Sequence, residues 1–335
     1  MKDISVDKSK LHPAGAVEKQ YRQMESELKT YWLERESRLD PEKTEAAACS
    51  FCGSSSHSSQ ERMFVKYGFP YLRCVSCGLI YPSPRPKMEY LQKQYVHGRF
   101  SRSFKEMYLP SAGYRMSTIF RERVVDIIMP RCPTGRILDI GCSSGHFLKV
   151  AHDHGFDVYG IEPNPEMVRY ASVELGLPNI SNGVLKGDEY TADFFDVITL
   201  WDVLEHVPDP HALLRNVFKL LKPEGWVFAY TENADSFNVF VTGGDSEMFT
   251  PDVHLRNYTP KTFRAEFDKA GFVIKEVMTK GLDIQHIKTT MKMMPGKFTN
   301  ALDLPDDDCE RLQSVINKLG KGDNLRLFAQ KPKDK

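Results

Sequence analysis

Thirteen residues, Arg136-Ile137-Leu138-Asp139-Ile140-Gly141-Cys142-Ser143-Ser144-Gly145-His146-Phe147-Leu148, constrain the fold of this chain more than any other stretch. Ile137 to Ile140 suit a buried strand, Gly141 and Gly145 permit close backbone approach to a ligand, and Phe147, Leu148, Val150 and Ala151 resume at helical spacing. Strand, glycine turn and helix start in that order read as a cofactor loop. The reading sharpens at Tyr159-Gly160-Ile161-Glu162-Pro163-Asn164, a second short strand ending in a carboxylate. It follows the turn by about 20 residues, the spacing at which doubly wound folds place the acid that holds a ribose diol. The pair points to a nucleoside cofactor.

Dinucleotide sites bring a pyrophosphate onto a helix N-terminus through G-x-G-x-x-G. Here Asp139 stands at the strand end and no G-x-G is present. Such an acid opposes a phosphate and suits a cationic cofactor without one. At these residues the chain resembles class I S-adenosylmethionine (SAM) methyltransferases, whose first motif reads D-x-G-x-G-x-G, with Ser143 in place of the middle glycine. Residues 195–210, FDVITLWDVLEHVPDP, are similar to the fourth strand and following loop of that family. Residues 220–228 are similar to its helix, turn and fifth strand, and residues 254–272 to the segment that runs through the next helix.

The resemblance implies an α/β, doubly wound, Rossmann-like and mostly parallel seven-stranded sheet whose last strand, 323–330, is antiparallel. It implies SAM as cofactor, lying against Asp139, Gly141, Cys142, Gly145, His146 and Phe147. Glu162 would hold the ribose hydroxyls, fixed at the sheet edge by Ile161 and Pro163, with adenine near Leu185 and the sulfonium near Trp201 and Asp202. Trp201 reads equally as a wall of the site or as core.

Four of the seven cysteines, Cys49, Cys52, Cys74 and Cys77, form C-x2-C-x21-C-x2-C, and glycine follows each pair at Gly53 and Gly78. Two such knuckles supply a closed tetrahedral zinc site; two disulfides or a redox pair are the alternatives. Four protein ligands leave no open position, so zinc here is expected to be structural and to supply folding energy. Cys132, Cys142 and Cys309 lack metal spacing, and Cys142 reads as a small loop residue rather than a nucleophile.

These anchors divide the chain into a helical segment over 1–45, a zinc ribbon over 46–86, a helical lead-in over 87–134 and the methyltransferase domain over 135–333. Val17, Tyr21, Met24, Leu28 and Tyr31 recur at spacings of four and three, which predicts an amphipathic helix running into Arg35 and Arg38. Packing on its own body is favoured over a dimer seam. Pro82-Ser83-Pro84-Arg85-Pro86 reads as a rigid linker, and the strand–helix alternation after 135 implies a parallel sheet.

The 335 residues bound the count at about two domains, and 41% apolar content is enough for a sizeable core. With 45 basic and 45 acidic side chains there is no basic excess, so nucleic acid is disfavoured and a small-molecule or glycan acceptor expected. Residues 1–19 lack an apolar h-region and no run reaches 18 apolar residues, which predicts a cytoplasmic protein without a membrane span. Oligomeric state is not legible.

Methyl transfer gains from holding acceptor and methyl in line, and a hydroxyl acceptor must also lose a proton. His206, beside Glu205, and His254, in a polar loop, are the candidate bases; packing and hydrogen-bonding roles are the alternatives. Asp202-x-x-Glu205-His206 with distant His254 is similar to the acid-x-x-Glu-His…His pattern of metal-dependent small-RNA 2′-O-methyltransferases, and to a related pattern in ubiquinone-biosynthesis O-methyltransferases. That likeness implies a second metal set of Asp202, Glu205, His206 and His254 for Mg2+ or Mn2+, replacing the base. The run C-G-L-I-Y-P-S-P-R-P after the second knuckle resembles bacterial methyltransferases of sugar and surface-polysaccharide modification. The resulting expectation is O-methylation of a sugar hydroxyl, on a nucleotide sugar or a surface polysaccharide. C-methylation of a keto-sugar, methylation of another small metabolite, RNA 2′-O-methylation, and a non-catalytic SAM-binding or zinc-ribbon interaction protein stand as alternatives. The last has no need of His206 and His254.

Overall fold

The computed structural model describes residues 10, 16–33, 38–55, 57–98, 108–293 and 304–333. Helix α1, Ala16–Trp32, leads into strand β1, Thr44–Glu45. Strands β2, Gln60–Lys66, β3, Phe69–Cys74, and β4, Ile80–Pro82, form an antiparallel meander, and β5, Arg85–Pro86, turns back to pair with β1. The proline run expected to be a linker is thus divided between β4 and β5. The expected N-terminal helix ends at Trp32, one residue past the last periodic position, Tyr31, and short of Arg38; Arg35 and the side chains of Val17, Tyr21 and Met24 lie outside the described residues. Trp32 is buried edge-on against Phe69 at 5.9 Å with Leu28 beside it, so α1 packs on the chain's own ribbon.

Helix α2, Met88–His97, and a helical run over 109–128 precede the main sheet. Its strands are β6, Arg136–Ile140, β7, Asp157–Glu162, β8, Ile180–Asn182, β9, Phe195–Trp201, β10, Leu221–Glu232, β11, Val273–Lys280, and β12, Asn324–Gln330. Their order is β11-β12-β10-β9-β6-β7-β8. The five strands β6 to β10 pair in parallel, and β12 is antiparallel to both β10 and β11. This is the doubly wound, mostly parallel seven-stranded sheet expected.

The central strands read as near-continuous apolar runs because helices cover both faces. Along each strand the side chains alternate between two cores. Leu138, Ile198 and Ala229 face one core with Leu213, Leu214 and Val217 of α4, whose range is Pro210–Leu220, and Phe263 and Phe267 of α5, Pro260–Lys269. Ile137, Val197 and Phe228 face the other with Phe147 and Leu148 of α3, His146–Asp153, and with Val124, Ile127 and Ile128. Both helices start where the sequence caps them. Asp209 accepts from the Ala212 amide at 2.9 Å, and Thr259 and Thr262 form a capping box, each before a proline at the first turn.

The cysteine segment joins the first core. Cys49, Cys74, Leu79 and Tyr81 are buried in the cluster that holds Tyr258 and Phe263. Strand order reverses between β6 and β9, which places at their C-terminal ends the switch-point crevice in which open α/β sheets are expected to bind ligands. No helix among the described residues is long and apolar enough to cross a membrane.

Candidate active site

The loop after β6 holds three left-handed residues, Gly141, Ser143 and Gly145, with φ of 73°, 49° and 77°. Ser143 adopts the turn of the missing middle glycine because its amide donates to Glu162 Oε2 at 3.0 Å. Glu162 Oε1 accepts from the Asn164 amide at 2.9 Å, so one buried carboxylate latches both ends of the site. A carboxylate has about four acceptor positions. Two serve the loop, and the others suit a diol. Burial raises the Glu162 pKa, and the two amides counter that rise. Gly145 has no substitute: a Cβ there would lie 2.7 Å from Leu177 Cδ1 and 2.8 Å from Ala171 Cβ.

Asp139 is buried at the end of β6, its Oδ1 accepting from Thr199 Oγ1 at 2.7 Å, and burial lifts its pKa to about 7. The structure brings Asp139, the 141–145 turn, Glu162 and Asp202 to the crevice but turns other expected contact residues inward. Phe147 and Trp201 pack edge to face at 5.3 Å within the second core, Cys142 fills the space that Gly160 leaves, and Leu185 sits in the first core. His146 Nδ1 pairs with Ser144 Oγ at 2.7 Å, and burial lowers its pKa to about 4. Pro163 is half-buried behind Glu162.

Beyond β9 the chain builds a second face. Asp202, itself left-handed at φ 55°, donates its amide to the Tyr230 carbonyl at 3.0 Å and directs the loop toward Glu205 and His206. One ligand atom each from Glu205, His206 and His254 lie within 4.8 Å of one another; Asp202 is not in that group. The four expected residues therefore separate into a cluster of three and a neighbour. His254 does not occupy an exposed polar loop. Residues 249–258 are buried between ribbon and sheet.

Hydrogen bonding sets the tautomers of both histidines. His206 Nδ1 meets the Val253 carbonyl at 3.0 Å and His254 Nδ1 meets the Met248 carbonyl at 2.7 Å. A carbonyl only accepts, so Nδ1 carries the proton and Nε2 is the basic nitrogen in each neutral ring. Burial lowers the His206 pKa to about 4. Glu205 is pushed up to about 8 by burial and by the charge of Asp202, and its Oε2 has no hydrogen-bond partner among the described residues.

Three contributors escaped the sequence reading. Glu232 Oε2 approaches His254 Nδ1 to 3.3 Å without hydrogen-bond alignment, and enclosure with Glu205 and Asp202 raises its pKa well above 4.5. It ends a parallel strand as Glu162 does, so the same rule would have found it. Tyr95 of α2 sets its ring edge on His206 at 5.7 Å. Arg123, in the 109–128 helical run, lies over Trp201 at 4.5 Å and Tyr230 at 5.0 Å, where its charge acts on Asp139 and Asp202. A single cation within an apolar helix face was its only signal.

The four ribbon cysteines converge within 4.8 Å, with Cys49–Cys77 and Cys52–Cys74 sulfurs each 3.5 Å apart. Zn–S bonds of about 2.3 Å put tetrahedral sulfurs about 3.8 Å apart, so the set fits one zinc ion. Each knuckle closes alike, Gly53 amide to Cys49 carbonyl at 2.8 Å and Gly78 amide to Cys74 carbonyl at 2.7 Å.

Residues 114–277 match the family model of a methyltransferase domain. A ubiquinone biosynthesis O-methyltransferase of Leptothrix cholodnii is 26% identical over 161 residues, 46% of this chain and 66% of the relative. One of Thiobacillus denitrificans is 32% identical over 117 residues, 33% of this chain and 50% of that protein. The chain thus spans about half to two thirds of the length of these relatives. Among solved structures, a SAM-dependent methyltransferase of Archaeoglobus fulgidus superposes with TM-score 0.45 at 16% identity, covering 73% of this chain and 100% of that one.

Proposed function

We propose that the chain, whose residues 114–277 match the family model of a methyltransferase domain, is a class I SAM-dependent methyltransferase that methylates a hydroxyl oxygen of a small-molecule or glycan acceptor. The observation that carries this reading is the meeting of Glu205, His206 and His254 beside the cofactor crevice. SAM supplies an electrophilic methyl on a sulfonium. Glu162 would hold the ribose, Asp139 and Asp202, when ionised, would offer negative charge to the sulfonium, and Arg123 would offer positive charge to the cofactor's carboxylate. His254 Nε2 would take the acceptor's hydroxyl proton, and the bound cofactor would supply the methyl that the oxygen receives. The Met248 carbonyl, accepting from Nδ1 at 2.7 Å, orients the ring, and Glu232, 3.3 Å from Nδ1, would steady the resulting imidazolium once ionised. His206, with its pKa near 4, is the poorer base and serves to shape the pocket.

A second reading rests on the orphaned Glu205 Oε2. Glu205, His206 and His254 would then hold a divalent cation that lowers the acceptor's pKa in place of a base. Chelator decides between them: a metal route stops and is restored by magnesium or manganese, while a base route continues. At the ribbon, Cys49, Cys52, Cys74 and Cys77 hold one structural zinc in this reading, and residues 1–45, 46–86, 87–134 and 135–333 act as brace, ribbon, lead-in and transferase.

The relatives named as O-methyltransferases support oxygen over carbon as the methylated atom. A sugar acceptor rests on the C-G-L-I-Y-P-S-P-R-P resemblance alone. A tritiated-methyl transfer screen over nucleotide sugars, glycans, hydroxylated metabolites and RNA tests the proposal. Label in an ether linkage to a non-RNA acceptor is expected; label on carbon, on RNA or on none of them contradicts it.

A further inference from the structure

We propose that Arg256 is a positioning residue that ties the acceptor face to the cysteine knuckles, so that the fold of the cysteine site sets the placement of Glu205, His206 and His254. The inference rests on the transferase reading only for its effect on turnover. Arg256 is fully buried, and a buried guanidinium is tolerable only where its donors are satisfied. Its Nη1 donates to the Leu204 carbonyl at 2.9 Å and the Val207 carbonyl at 2.5 Å, and Nη2 donates to the Pro208 carbonyl at 2.9 Å. Nε donates to Ser50 Oγ at 3.2 Å, one residue beyond Cys49. Three carbonyls of the loop carrying Glu205 and His206 are thus gathered on one planar head that also bonds the first knuckle through Nε.

The neighbours of Arg256 continue the seam. The Leu255 amide donates to the Glu205 carbonyl at 2.9 Å, and the Asn257 amide donates to the Ile80 carbonyl of β4 at 2.7 Å. His254 therefore begins a segment stitched alternately to the acidic loop and to the ribbon. Lys269 of α5 adds a bond from Nζ to the Phe51 carbonyl at 3.3 Å, again within the knuckle. Among the described residues, the cofactor loop is held by hydrogen bonds that do not run to the knuckles. Its amides at Gly141 and Ser143 end on Ile161 and Glu162, inside the sheet. Four thiolates order their knuckles when they share an ion. Losing a ligand should therefore loosen the acceptor loop and spare the SAM cradle.

The test compares the full-length wild type, Arg256→Lys and Cys52→Ser by hydrogen exchange, with SAM affinity from calorimetry on the same samples. Lysine keeps the charge but cannot reach three carbonyls and a hydroxyl from one head. Residues 202–208 and 250–257 should exchange about tenfold faster or more in both variants, while 136–148 keep wild-type protection and the SAM Kd stays within about threefold. On an acceptor returned by the methyl-transfer screen, Arg256→Lys should lower kcat about tenfold or more with KM for SAM near wild type. Wild-type exchange at 202–208 in either variant overturns the proposal, as does equal loosening at 136–148, which marks general unfolding. A screen that returns no acceptor defeats the transferase reading and leaves the exchange result to decide this one.

Discussion

The SAM cradle and the acceptor face share one end of the sheet and are built by opposite means. The cradle draws its turn, its latch and its cap from residues 136–164, joined by bonds such as the Ser143 amide to Glu162. The acceptor face gathers Glu205 and His206 from beyond β9, Glu232 from the end of β10, His254 from the 249–258 segment, Tyr95 from α2 and an anchor from the ribbon. A cradle of local bonds should withstand changes elsewhere in the chain. An assembled face inherits each distant failure.

The largest expected effect probes the assembled face. His254→Ala should lower kcat by roughly 10²-fold or more at pH 7, the usual scale for lost proton transfer, with SAM affinity unchanged. Steady-state kinetics at saturating SAM give the answer, and a near-wild-type rate would pass the chemistry to His206 or to positioning alone. Next comes the cradle. Glu162→Ala should weaken SAM binding well over tenfold, since charge-assisted bonds contribute about 1.5 to 3 kcal/mol each and the left-handed Ser143 loses its latch. Unchanged affinity by calorimetry would remove the assignment.

A smaller effect separates ribbon from cradle. Cys74→Ser should take zinc from one per chain to none by elemental analysis while shifting SAM affinity less than about threefold. Joint loss of zinc and SAM binding would show that the ribbon supports both faces equally.

The smallest effect is a pH dependence of stability. Glu205 holds its proton up to about pH 8 when folded against an ordinary value of 4.5, and Asp139 up to about 7 against 3.8. The folded chain thus binds more protons than the unfolded one in that window, and stability falls as pH rises through it. His146 and His206, lowered to about 4 from 6.5, oppose this only below about pH 6.5. Melting temperature should therefore decline between about pH 6.5 and 8, and Glu205→Gln should flatten the decline by a few degrees. A flat wild-type profile would place Glu205 in a better solvated site.

Legibility in the sequence follows the same division. The sheet and the cradle were readable because strand, turn and carboxylate fall within thirty residues in a fixed order, and the glycines mark positive φ directly. The left-handed Ser143 was not, since its conformation depends on an acceptor 19 positions away. His206 and His254 were named, and only the resemblance to a metal-binding pattern implied that they meet, while the stretch around His254 read as a polar loop. That stretch is polar because its groups bond inward. Arg256 binds three carbonyls and a serine, and His254 a carbonyl and Thr250. Composition cannot distinguish such a buried polar seam from a solvated one, because the partners lie on segments far apart in the chain.

The division of labour is tested most directly by measuring SAM affinity and the single-turnover rate of methyl transfer on Glu162→Ala and His254→Ala together. The account predicts crossed outcomes. Glu162→Ala loses affinity and retains a near-wild-type rate once saturated, whereas His254→Ala keeps affinity and loses roughly 10²-fold in rate. Parallel losses in both quantities for both variants would contradict it and make cradle and acceptor face a single unit.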